Sequence, residues 1–186
     1  MTKRSFEGVR EAFLGALTLA AVSTLGDWIW THYLRDGAVL PGIIHGAVIF
    51  LILAAILGYA AGTDSARRRL LPTLPLAGMG IAAVFYPIAK AVGYLAALLI
   101  SWVLMWSCTA ALQRWARGGH EPVSRTLLRG LGAAIFSGLA FWAISGIWTQ
   151  PSPGGPNYPW HFLCWAFAFL PGLLALLVHP SDDPAS

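Results

Sequence analysis

Polar side chains in this chain gather into short clusters, and the stretches between them are almost wholly apolar. Six such stretches run at about 11–33, 39–61, 71–89, 92–114, 127–148 and 159–178. Each approaches the roughly 20 residues that an α-helix needs to cross about 30 Å of hydrocarbon. Between them lie "RDG", "TDSARRR", "AKAVG", "RWARGGHEPVSR" and "QPSPGGPNYP", rich in charge, proline and glycine. A run such as "AVIFLILAAILGYAAG" is apolar all round, as a helix facing lipid or a bundle core should be. The period-two segments of a transmembrane β-barrel are absent from the sequence. The pattern predicts an all-α integral membrane protein. It is a compact bundle of six transmembrane helices forming one domain over 1–180, with 181–186 as a short polar tail.

Composition agrees and fixes the solvent. Of 186 residues, 57% are hydrophobic and 11% charged, with a mean hydropathy of +0.66. A soluble domain has about 25% charged residues, so this chain could not cover its surface in water. The first apolar stretch follows Lys3 and Arg4 but is too long for a signal peptide and lacks a clean cleavage site, so it reads as a retained span.

Charge adds a direction. Ten of the twelve basic residues, from Lys3, Arg4 and Arg10 through Arg67–Arg69 to Arg114, Arg117, Arg125 and Arg129, fall on one side of the six-helix layout. Only Arg35 and Lys90 fall on the other, so both termini are expected in the cytoplasm, with a bacterial inner membrane as the setting. The pI near 9.4 then reflects basic loops against anionic lipid headgroups, and no nucleic-acid partner is needed. The loop 115–126 reads as a solvated connector. Cys108 and Cys164 lie inside helices, at no metal-ligand spacing, and read as packing material.

Two patterns concern packing. "WT" at 30–31 and 148–149 each precedes a helix carrying an early histidine, His45 and His161, as a parallel repeat would. Small residues at Gly78, Gly80 and Ala82, and at Gly130, Gly132, Ala134 and Gly138, allow close helix approach or room for a lipid.

The chemistry-bearing residues converge on the non-cytoplasmic half. Asp27 lies six residues before Tyr33, roughly 9 Å inside the first helix. His45 is at similar depth in the second helix, Lys90 ends the third, and His161 opens the sixth. A charge at membrane depth costs at least about 2.5–3.5 kcal/mol and usually has a partner, so Asp27 should meet Lys90 or a histidine. Three roles remain open for it: tying helices one to three together, meeting a lipid headgroup, or catalysis. Trp28, Trp30, Trp148, Trp160 and Tyr158 read as an outer aromatic belt, with Trp115 at the inner boundary. Trp102 and Trp106, one turn apart, are deeper and could line a pocket. Paired membrane carboxylates, metal-binding histidine spacings, a nucleophile elbow and a glycine-rich phosphate loop are all missing from the sequence. No catalytic residue, metal or cofactor is expected.

The segments "GIAAVFYPIAKAVGYLAALLISWVLMW" at 80–106 and "GIWTQPSPGGPNYPWHFLCWAFAFLPG" at 146–172 resemble the insulin-induced gene (Insig) family and its bacterial homologues. They are similar to its Gly-Ile…Ala-Lys-Val segment and its Tyr…Trp-Leu-Pro-Cys-Ile-Phe-Phe run. Gln113-Arg114 stands where the family has Asp-Arg, and acidic residues are missing near Lys90, which weakens the case for the animal proteins' partners. The resemblance implies a non-catalytic bundle around a sterol- or diacylglycerol-like lipid. Asp27, His45, Lys90 and His161 would supply its polar end, with Tyr86, Trp102 and Trp106 as walls. The alternatives are a small intramembrane enzyme or enzyme subunit acting on a lipid or isoprenoid, and an assembly factor for another membrane protein.

Overall fold

The computed structural model describes residues 3–33, 39–144 and 157–178. It is all-helical there, with α1 Lys3–Tyr33, α2 Val39–Ala60, α3 Asp64–Val92, α4 Tyr94–Ala116, α5 Val123–Ile144 and α6 Tyr158–Leu177. All six are long and apolar enough to cross a membrane, the layout of an integral multi-pass protein. The "RDG" joint, the end of the fifth stretch with Trp148, and the polar tail lie outside the described residues.

Apolar length locates hydrocarbon, not helix ends, and two helices run past it. α1 starts at Lys3 rather than near 11, and α3 at Asp64 rather than near 71. The added turns are polar helix. In α3, Asp64 opens the first turn and meets Arg67 at 3.6 Å. Pro72, Pro75 and Pro87 all lie inside α3. The α3–α4 joint is one residue, Gly93, whose φ of 89° suits glycine because it lacks a Cβ.

Each helix packs on the next in sequence, and α6 returns to α1, which closes a ring. The α2–α3 seam is the most extensive and α1–α2 the least. Gly46 and Gly78 let α2 and α3 meet backbone to backbone: a methyl added at Gly78 would lie 2.5 Å from the Gly46 carbonyl oxygen. Gly130 likewise seats against Ser107, whereas Gly80 and Gly132 face open space and make no such contact. Six helices in turn bring the start of α1 and the end of α6 to one face of the ring, where Gly8 of α1 abuts Leu177 of α6. That face is the terminal face below, and its opposite is the distal face.

Candidate functional site

The start of α6 is built to place two side chains. The Asn157 side chain accepts a hydrogen bond from the Trp160 backbone N–H at 3.2 Å, and Pro159 fits the first turn, where its missing donor costs nothing. His161 and Trp165 follow one turn apart on the same helix face. Both reach Asp27 of α1. The Trp165 indole Nε1–H donates to Asp27 Oδ2 at 2.8 Å, and His161 Nδ1 lies 3.1 Å from the same oxygen. The indole can only donate. The carboxylate and imidazole side chains keep 16% and 13% of their exposure, so a pair is needed at this depth. The acid therefore ties α1 to α6.

Three other candidate rings sit on glycines of neighbouring helices. His45 of α2 rests on Gly26 of α1, Tyr86 of α3 has its hydroxyl on Gly42 of α2, and Trp106 of α4 lies on Gly172 of α6. In each case a methyl on the glycine would overlap the ring. Thus His45 and His161 approach α1 from its two sides, at the adjacent residues Gly26 and Asp27.

Between the helices lies a cavity of about 250 Å3. It is lined by α2, α3, α4 and α6, with Ser23 from α1, and it occupies the distal half of the ring. Its composition changes along the helix axes. Toward the distal face the walls carry His45, Tyr86 and Tyr94; deeper they become Phe50, Met105 and Phe169. Ser101 also lines it, and the Ser101 hydroxyl is buried without a hydrogen-bond partner among the described residues. One wall is aromatic. Trp102 and Trp165 stack with centroids 6.4 Å apart, and Phe169 lies within 5.4 Å of Trp102 and 5.7 Å of Trp165.

Of the seven residues singled out in the sequence, His45, Tyr86 and Trp102 line this cavity. Asp27 and His161 do not; Asp27 stands behind the wall and accepts the hydrogen bond of Trp165, which does. Lys90 is exposed at the end of α3 and makes no ion pair among the described residues. It sits one turn beyond Tyr86, past the cavity's distal end. Trp106 is fully buried one turn below Trp102, under the cavity floor. Trp165 is the residue of this wall that the sequence reading did not single out.

Among the described residues, no three His, Cys, Asp or Glu side chains gather to hold a metal ion. Chemically the site offers an apolar slot, an aromatic wall and a polar rim. Comparison of the chain with protein-family models, with curated proteins and with solved structures finds no match.

Proposed function

We propose that the protein holds one amphiphilic lipid, diacylglycerol- or sterol-like, in this cavity and performs no chemistry on it. The carrying observation is the axial change from His45, Tyr86 and Tyr94 to Phe50, Met105 and Phe169. An amphiphile needs such an environment: apolar walls with a few polar groups that fix orientation. The volume falls below the roughly 300–1,000 Å3 of pockets that enclose a whole drug-sized ligand. The cavity therefore takes the polar end and first carbons, while the remaining tail lies between helices.

The unpaired Ser101 hydroxyl supports the same reading, since a ligand oxygen there would satisfy it. Holding is favoured over catalysis because the Asp27–His161 pair, the best acid–base couple in the bundle, does not line the cavity. The resemblance to Insig proteins adds support from the sequence side, and on this reading the basic terminal face is the cytoplasmic one, in keeping with the positive-inside rule.

Native mass spectrometry of protein released gently from membranes tests the reading. One bound neutral lipid per chain is expected. Protein that remains bare when diacylglycerol and sterol are supplied would contradict it.

A further inference from the structure

A lipid held in the distal cavity must reach it from the membrane, and the seams around the cavity differ in how firmly they are shut. α2 and α3 meet backbone to backbone at Gly46 and Gly78, and Tyr86 of α3 rests its hydroxyl on Gly42 of α2. α1 is bonded to α6 through Asp27. The α1–α2 seam is the least extensive, but Ser23, Ile49 and Phe50, which face the cavity from that side, are buried.

The α3–α4 seam is different. Toward the distal face it is spanned by two rings, Phe85 of α3 and Tyr94 of α4, which meet edge to face with centroids 5.3 Å apart. Both rings line the cavity, and Tyr94 is also 57% exposed, so the pair stands between the cavity and its surroundings. The backbone beside the pair is weakly held at two points. Pro87, inside α3 and two residues after Phe85, has no N–H to donate to the Ala83 carbonyl one turn back. Gly93, the one-residue joint, has nothing within 4 Å of where a Cβ would stand. Residues 88–92 thus lie between a missing helix bond and a joint with open space beside it. The other end of the seam is pinned. Arg69 Nη1 donates to the Trp115 carbonyl at 3.3 Å, and the guanidinium carbon lies 5.4 Å from the Trp115 ring centroid.

We infer that the α3–α4 seam is the lateral portal of the cavity, with Phe85 and Tyr94 as its gate and the segment from Pro87 to Gly93 as the part that moves. This deepens the lipid-holding reading above and rests on it. A single aromatic edge contact is strong enough to keep the gate closed at rest and weak enough to break thermally. Because Arg69 pins the terminal end, opening splays the two helices at the distal end, beside the polar rim. The lipid's polar end then passes at the level of His45, Tyr86 and Tyr94, and its tail stays in hydrocarbon throughout. With the gate closed again, the tail of a held lipid lies between α3 and α4.

The test follows exchange by native mass spectrometry of the full chain in lipid nanodiscs. The protein is loaded with a deuterated diacylglycerol, or with deuterated cholesterol if that is the lipid it retains, and chased with the unlabelled form. Phe85→Ala should speed release by about twofold to tenfold, the strength of one aromatic pair. Pro87→Ala, at an exposed residue outside the cavity lining, restores the bond to the Ala83 carbonyl and stiffens α3. It should slow loading and release alike by at least about twofold and leave equilibrium occupancy unchanged. Exchange rates unmoved in either variant, in protein that retains the lipid, overturn the portal and leave the holding reading standing. Absence of saturable retention in the unaltered protein overturns both.

Discussion

The indole N–H of Trp165 donates to the carboxylate of Asp27 at 2.8 Å, across 138 positions of sequence. Through that bond a carboxylate outside the cavity fixes one of its walls, because the same indole stacks on Trp102. If the cavity holds a lipid as proposed, Asp27 acts as a positioning residue. Asp27→Asn should lower lipid retention in native mass spectra while folded yield is kept. Trp165→Phe should do the same. In thermal unfolding, the two substitutions should couple by about 1 kcal/mol, the range found for hydrogen bonds between membrane helices. Strict additivity would show that the bond carries nothing.

Lys90 supplies the contrast. Exposed beyond the rim, it should tolerate Lys90→Gln with no change in lipid retention. A loss equal to that of Asp27→Asn would place it in the site after all.

The reasons for these placements bear on what a sequence can reveal. Apolar run length identified six helices, because satisfying every backbone group inside hydrocarbon leaves the helix as the available form for such runs. Depth could be counted along each run, which brought Asp27, His45 and His161 to one level. Counting gives depth only to about a turn, and the cavity is short. Lys90 overshoots it by one turn past Tyr86, and Trp106 undershoots it by one turn below Trp102. Neither displacement changes the helix face, so periodicity could not detect it. Trp165 escaped notice because an indole in an apolar helix looks like packing until its acceptor, 138 positions away, is located. The fold of the α4–α5 connection was illegible for a similar reason: Arg129 of α5 joins Glu121 to carbonyls at the end of α6, more than 40 positions away.

Ser101 gives a prediction of opposite sign for stability and binding. A buried hydroxyl without a partner costs about 1–3 kcal/mol, so Ser101→Ala should raise the melting temperature of lipid-free protein. The same change should weaken lipid retention. Scanning calorimetry on delipidated protein reads the first effect. A fall in melting temperature would mean that the hydroxyl is satisfied without ligand.

Glycine seats make a third pair of expectations. Gly172 lies under the Trp106 ring, and Gly132 has nothing within 4 Å of where a Cβ would stand. Gly172→Ala should cost about 1–3 kcal/mol by overpacking. Gly132→Ala should be neutral or stabilise by up to about 1 kcal/mol through helix propensity. Unfolding in mild detergent compares them directly, and equal effects would contradict the packing described.

At the terminal face, Arg129 bonds Glu121 and the last carbonyls of α6 at once. Arg129→Lys should fail to restore the stability lost in Arg129→Ala, because an ammonium cannot reproduce the fork. Full rescue by lysine would reduce the residue to a point charge.

Occupancy of the distal cavity decides between a lipid holder and an empty bundle. The most direct measurement is photo-crosslinking with a diacylglycerol that carries a diazirine near the head of its acyl chain, followed by peptide mapping. Insertion at Phe50, Met105 or Phe169, competed by unlabelled diacylglycerol, is the expected result. Insertion confined to exposed residues such as Leu51, Leu104 and Phe167, with no competition, would contradict the account.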